Sequence, residues 1–479
     1  MGWEMTRDAS DYIVRSPDGK CGIVVGLPEE VVAMLFAFFS RNPKNIEDTL
    51  QGMLDDGSLE PPEPPKFATS DRARKFHERM TIGYGHKSVA DHAQVHMFVE
   101  GASTVSERDF MSARLMAATS KSTRYVNFSE AGWHRPEELQ GPNGIVMYHE
   151  HVQKLMDAYK ALVPIAVEAV RAACPKTEDW SESHWLNATE KRGLDAVRDI
   201  LPACVNTSYA FTMSATGLRE MLDKRDTSGN LELKDLAKNL RLAARSVVPT
   251  LVPKETRRIP GERALPPTGS RALFAQSSVQ VLSTPDWETV ERMLGIPITE
   301  LMRRWDEDRG HHLPPDRTAE FAYYDIRMEM PFAIARDLGR HRMMTQLWSE
   351  PGLYSPFGVD PILSDAKLAD AVPQIGLLSV AHQDALTDAR WRMRELAPFM
   401  PSGAAQYACP LATMVVGAWR VNLRELYHLV GLRTTPQGHP AYRKLVQALV
   451  FAIKQADPIG GKRLESVTNF SDILVGRPT

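Results

Sequence analysis

Two arginines flank a histidine at Arg340-His341-Arg342, and a serine follows at Ser349. The triplet closes the segment from Phe332 to Met344, whose other residues read as a buried amphipathic helix. Charges held so close to an apolar helix need an anionic or electron-rich partner, because an unpaired buried charge is costly. Guanidinium forks match phosphate oxygens and the carbonyls of a heteroaromatic ring. A phosphate-bearing or flavin-like ligand would suit the triplet. The alternative is a solvated helix end whose basic residues complement the helix dipole.

The elements that must carry these residues occur twice. Asp109-Phe-Met-Ser-Ala-Arg114 can be laid on Asp337-Leu-Gly-Arg-His-Arg342. Each is preceded by an alternating, strand-like run, Ala93–Glu100 in one half and Phe321–Met330 in the other. Polar segments with serine and tyrosine follow, Ser122-Thr-Arg-Tyr125 and Ser349–Tyr354. Leu201-Pro202 then heads a stretch read as helical to Arg225, and Cys409-Pro410 heads its match to Arg433. A further helix closes each half, Leu231–Val248 and Tyr442–Gln455. This pattern is duplication of a whole domain rather than a short solenoid repeat. The expected division is a first domain over 1–248, a proline-rich linker over 249–267 and a second domain over 268–479. Ser277–Ser283 and Asp286–Leu294 read as the opening strand and helix of the second domain, and Asn42–Pro65 as a loop within the first.

Composition sets the outer limits. A chain of 479 residues suggests more than one domain, with 43% hydrophobic residues, 24% charged residues and a net charge of -3. That balance argues against bulk nucleic-acid binding, so any anion site must be a local basic pocket. Cys21, Cys174, Cys204 and Cys409 are scattered without a CxxC pair, which favours neither a metal site nor a disulfide framework and suits a reducing cytoplasm. The N-terminus lacks a signal-peptide core. The apolar run Val31–Phe39 is too short to span a membrane and reads as a core helix.

With these residues assembled, the chain resembles the flavin-dependent thymidylate synthase family in tandem duplicate. Gly85-His86-Lys-Ser88-Val-Ala-Asp91-His92 is similar to the family's upstream element, only in the first half. Arg340-His341-Arg342 is similar to its basic triplet, only in the second, where Asn422-Leu-Arg424 also matches an N-x-R pair. Ser122-Thr-Arg124-Tyr125 resembles the serine run, while Arg225 and Arg433 stand where the family's last arginine lies. Arg198 matches a nucleotide-binding arginine whose second-half counterpart is Gln406. There are departures. Asp109 and Asp337 precede the triplets where the family commonly has a glutamine, Ser349 comes one residue early, and Gln437 replaces a histidine, with His439 two residues beyond.

The resemblance implies an α+β fold, two tandem copies of a domain made of an antiparallel sheet flanked by long helices. It implies transfer of a one-carbon unit and hydride to C5 of a pyrimidine deoxynucleotide, deoxyuridylate to thymidylate. FAD is the implied cofactor, with methylenetetrahydrofolate and NADPH as co-substrates. Arg340, His341 and Arg342 are the expected catalytic residues, and with His86, Ser88, Asn422 and Arg424 they would bind flavin. Ser122, Arg124, Arg198, Arg225 and Arg433 would bind the nucleotide. Because each half lacks what the other keeps, the resemblance implies a homodimer acting as a pseudo-tetramer, with no metal, membrane or nucleic acid. Each residue has a plainer alternative: His86 a core or capping histidine, Ser88 a helix N-cap, Arg198 a salt bridge to an acid.

Overall fold

The computed structural model describes residues 8–56, 71–84, 86–178, 180–257, 259, 264–267, 272–305, 313–401 and 403–467. The chain divides into two compact units, one built from Met1–Glu138 with Cys204–Arg263, the other from Leu139–Ala203 with Ala264–Thr479. Sequence duplication and compact unit therefore partition the chain differently: residues 139–203, which the repeat assigns to the first half, pack in the second unit.

The first unit carries five strands, β1 (Ile13–Arg15), β2 (Cys21–Val24), β3 (Gln94–Ser103), β4 (Ala117–Ser120) and β5 (Asn206–Ser214). They form one antiparallel sheet in the order β1-β2-β3-β5-β4. One face packs on the helices Ala215–Asp226 and Leu231–Arg245 through Met97, Phe211, Leu218, Leu236 and Leu240. The other packs on the Glu29–Phe39 helix, whose Val32, Leu35, Phe36 and Phe39 recur at helical spacing and are buried.

The second unit carries β6 (Ser278–Ser283), β7 (Tyr323–Pro331), β8 (Thr345–Trp348) and β9 (Met414–Asn422), antiparallel in the order β6-β7-β9-β8. Setting β1 aside, this is the order of the first sheet. Registers agree too: Ala117 pairs with Thr212 and Ser120 with Tyr209, as Thr345 pairs with Arg420 and Trp348 with Gly417. The first sheet differs by a register shift between Val99 and Ala102, where Gly101 takes φ +65°. That backbone region strains any side-chain-bearing residue and suits glycine at a bulge. The long helices Gly141–Ala173 and Pro373–Leu396 pack together in this unit, with Glu182–Val197 beside the first.

The mixed fold with two antiparallel sheets is the one expected. Two local expectations are corrected. The stretches after Leu201-Pro202 and Cys409-Pro410 begin as strands β5 and β9 before turning helical. Both are buried over most of their length, so no period-2 alternation marks them. Within the expected loop 42–65 lies the helix Ile46–Asp55, started by Asn45, whose side chain accepts from the Asp48 N–H. Its buried Ile46, Leu50 and Met53 fill the space under Phe39. Residues 57–65 of that span lie outside the described residues.

Candidate active site

The basic triplet is positioned by a short helix between two strands. β7 ends at Pro331, and the helix Phe332–Leu338 follows without a side-chain cap. Its first two N–H groups donate instead to the main-chain carbonyls of Thr413 and Leu411. The helix stops at Gly339, and the chain turns through the triplet into β8. The turn sorts the side chains: Arg340 is exposed, His341 is 4% exposed and Arg342 is half-buried. Burial, then repulsion from Arg340, lowers the pKa of Arg342.

His341 is held at both ring nitrogens. Nδ1 lies 3.0 Å from a carboxylate oxygen of Glu425, and Nε2 lies 2.9 Å from Nε of Arg433. A guanidinium only donates and a carboxylate only accepts. The pair therefore fixes the neutral imidazole with its proton on Nδ1. Burial lowers the His341 pKa, and nearby Arg433 and His428 act in the same direction against Glu425. Arg433 is oriented in turn by donating 2.9 Å to the main-chain carbonyl of Asp337 and by stacking over Tyr442.

Asp337 ties this group to Arg198, whose Nη2 donates 2.7 Å to its carboxylate. Arg198 is 3% exposed, so the pair sits largely out of solvent. Burial alone would raise the Asp337 pKa, but Arg198, Arg340 and Arg433 outweigh it and hold the carboxyl at about 2. The approach of Arg198 depends on a charged face of the Glu182–Val197 helix and the turn beyond it. Arg192 donates 2.6 Å to Asp360, Asp199 pairs with His382 at 2.7 Å, and the Asp195 carbonyl lies 3.3 Å from His439. The alternative of a surface salt bridge for Arg198 is met only in the pairing, since the guanidinium is buried.

Asn422 and Arg424 straddle the junction of β9 with the helix Leu423–Arg433. Asn422 is the N-cap, accepting from the Glu425 N–H at 2.8 Å, which aims Glu425 at His341. Arg424 donates 2.9 Å to the Pro315 carbonyl and lies 3.7 Å from Glu320. The same junction in the first unit is Ser214, which caps the helix Ala215–Asp226.

Other expected residues lie in the first unit. His86 occupies the N-cap position of the short helix Lys87–Ala90 without a side-chain cap, so Ser88, within that helix and exposed, is not the cap. A π-helical segment, Glu78–Gly83, precedes them. Ser122 Oγ accepts from the Arg124 N–H at 3.3 Å, and Arg124 is half-buried. Arg225 donates to the Asp109 carboxylate at 2.7 Å, to the Asp109 carbonyl at 2.6 Å and to the Met221 carbonyl at 3.1 Å.

Ser349, the serine that follows the triplet, packs inside the second unit. It is fully buried, and its Oγ accepts from the Val416 N–H at 2.9 Å. Its own N–H donates to the Val416 carbonyl, as that of Lys121 donates to Ser208 in the first unit. Lys121 is thus the structural counterpart of Ser349, and Glu350 takes the position of Ser122. Glu425 was missed by sequence reasoning, though Asn422-Leu-Arg-Glu425 has the spacing of a helix-capping box and could have drawn attention to it. Among the described residues no cluster of three or more metal-binding side chains occurs, and no helix is long and apolar enough to cross a membrane.

Residues 28–250 and 274–459 match the family described as thymidylate synthase complementing protein, once in each half. The chain belongs to that family. Relatives within reach are distant. A UPF0159 protein of Chlamydia muridarum is 24% identical over 98% of this chain and 96% of its own length. A flavin-dependent thymidylate synthase of Thermococcus onnurineus is 24% identical over 34% of this chain and 59% of its own. Among solved structures, thymidylate synthase X of Helicobacter pylori, crystallised with FAD and dUMP, is 16% identical and covers 40% of this chain and 97% of its own at a TM-score of 0.30. The two matched regions of the thymidylate synthase complementing family fall on the two halves whose sheets repeat one strand order.

Proposed function

We propose that the chain is a flavin-dependent enzyme that transfers a one-carbon unit and hydride to C5 of a pyrimidine deoxynucleotide, deoxyuridylate to thymidylate. Methylenetetrahydrofolate is the carbon donor and NADPH the reductant in this reading. The observation that carries it is the arrangement around His341. Glu425 and Arg433 hold its two ring nitrogens, Arg340 and Arg342 flank it in the chain, and Arg198 reaches the Asp337 carboxylate beside Arg433. Such a donor-rich group suits an anionic ligand and the electron-rich N1/O2 edge of a flavin. FAD would supply the hydride chemistry when bound. Arg340 and Arg342 would hold it, with His341, Asn422, Arg424, His86 and Ser88.

Ser122, Arg124, Arg198, Arg225 and Arg433 are the proposed nucleotide residues. Two or three charge-assisted bonds would hold a phosphate dianion. Arg198 and Arg225 reach one only by releasing Asp337 and Asp109. No cysteine is used as a nucleophile: burial pushes Cys409 up to about 12 and raises Cys21 as well. The working form in this proposal is a homodimer in the cytoplasm.

A second reading keeps fold and flavin and changes the pyrimidine substrate or one-carbon donor. Asp337 favours it, because an ionised carboxylate beside a nucleotide selects different groups from an amide. A non-catalytic nucleotide-binding descendant is the third. Flavin absorbance of the purified chain separates the first two from the third. Tritium release from C5-labelled deoxyuridylate, dependent on methylenetetrahydrofolate, separates the first from the second.

A further inference from the structure

We infer that Glu425 is a positioning residue for the basic triplet: it fixes the tautomer of His341, and through it the geometry of Arg433 and of the turn bearing Arg340 and Arg342. The inference deepens the proposed function and rests on it only where flavin is the readout.

Glu425 is 8% exposed and stands three residues after the Asn422 cap, at the start of the Leu423–Arg433 helix. Its main-chain N–H is taken by Asn422, so the side chain leaves in a set direction. Its Oε1 meets Nδ1 of His341 at 3.0 Å. Across the ring, Nε2 must present a lone pair, because the group facing it is the Nε–H of Arg433. The ring is a rigid link between an acceptor and a donor, and only one neutral tautomer satisfies both. His428, whose ring centroid is 5.6 Å away, and Asp337, whose carbonyl receives Arg433, complete the surroundings.

Removing the acceptor has a defined consequence. Without a carboxylate or amide oxygen at position 425, the Nδ1 proton is buried without a partner, a costly state. The ring escapes that cost only by turning away from Arg433, which gives up the bond to Nε2, leaves the tautomer unfixed and loosens Arg433 at the Asp337 carbonyl. A side chain of similar size that still offers an oxygen, as in Glu425→Gln, keeps the tautomer. Bulk packing at this position predicts no such distinction between an amide and an isosteric apolar group.

The experiment is long-range ¹H–¹⁵N NMR of the full chain, with His341 assigned by comparison with a His341→Gln sample, together with FAD titration. The wild type and Glu425→Gln give the Nδ1–H pattern at neutral pH, and Glu425→Leu loses it. FAD affinity falls about 10- to 100-fold in Glu425→Leu and less than about threefold in Glu425→Gln, the range expected for loss of one charge-assisted hydrogen bond. A wild-type His341 protonated on Nε2 overturns the inference even if Glu425→Leu does not fold. So does a folded Glu425→Leu protein that retains the Nδ1–H pattern or wild-type FAD affinity. If no variant binds FAD but the tautomer pattern holds, the flavin reading fails and the positioning role of Glu425 stands.

Discussion

Arg433 donates to the main-chain carbonyl of Asp337 at 2.9 Å, and Arg225 repeats the bond to Asp109 in the first unit at 2.6 Å. The duplicated contact has diverged in what surrounds it. In the second unit the aspartate carboxylate turns to Arg198, leaving Nε of Arg433 to hold His341. In the first, alanine stands at the histidine position, Ala113, and Arg225 closes on the carboxylate of Asp109 as well. In one copy the arginine holds a histidine, while in the other it closes on its aspartate.

Arg225→Ala should therefore act on stability. Losing the bonds to Asp109 and Met221 destabilises the protein by about 2–4 kcal/mol, read by urea unfolding. FAD retention should stay near that of wild type. Loss of flavin at unchanged stability would place Arg225 at the flavin and not at the nucleotide.

Arg342→Ala should remove flavin retention with the fold intact. Arg342 is half-buried beside Arg340, and burial lowers its pKa, as suits a charge placed for an anionic ligand. Arg114→Ala, at the corresponding exposed position of the first unit, should change little. Absorbance after gel filtration reads both, and a fully yellow Arg342→Ala protein would refute the flavin assignment.

Arg192 and Asp360 form an ion pair with side chains 4% and 3% exposed. Burial raises the Asp360 pKa even with Arg192 beside it. Arg192→Met leaves that carboxylate without its cation and should cost about 3–5 kcal/mol. The double variant Arg192→Met/Asp360→Leu should recover much of the loss. Equal stability of the single and double variants would mean that the pair has no such coupling.

Acid should weaken the fold in two separate windows. His151 is buried, and burial lowers its pKa to about 4 although Nε2 donates to the Ala408 carbonyl. Below about 6.5 the unfolded chain takes up a proton that the folded state refuses until about pH 4, so stability declines as pH falls through that window. His151→Gln should flatten it. Asp337, depressed to about 2, contributes stability that is complete above the ordinary carboxylate range and lost as pH falls toward 2. Unfolding midpoints measured from pH 7 down to 3 check both, and a flat profile for wild type would contradict the His151 assignment.

The parts of this architecture legible in the sequence were those with one wet face. β3 and β7 alternate, and the Glu29–Phe39 helix shows its buried stripe, so each could be read from spacing. β5 and β9 are central strands buried on both faces, and spacing alone does not separate such runs from a buried helix. The place of residues 139–203 was hidden for a different reason. It is reflected in pairs such as Arg192 with Asp360 and Asp199 with His382, which join residues more than 160 positions apart. Arg340, His341 and Arg342 were visible as a cluster of charge. Nothing local showed that His341 would be consumed by Glu425 and Arg433.

The most direct test of the account uses deoxyuridylate tritiated at C5 with the full chain, FAD, NADPH and methylenetetrahydrofolate. Release of tritium to water with formation of thymidylate is the predicted result, dependent on the folate and abolished in Arg342→Ala. Folded, flavin-loaded protein that releases no tritium would contradict the claim that this chain makes thymidylate.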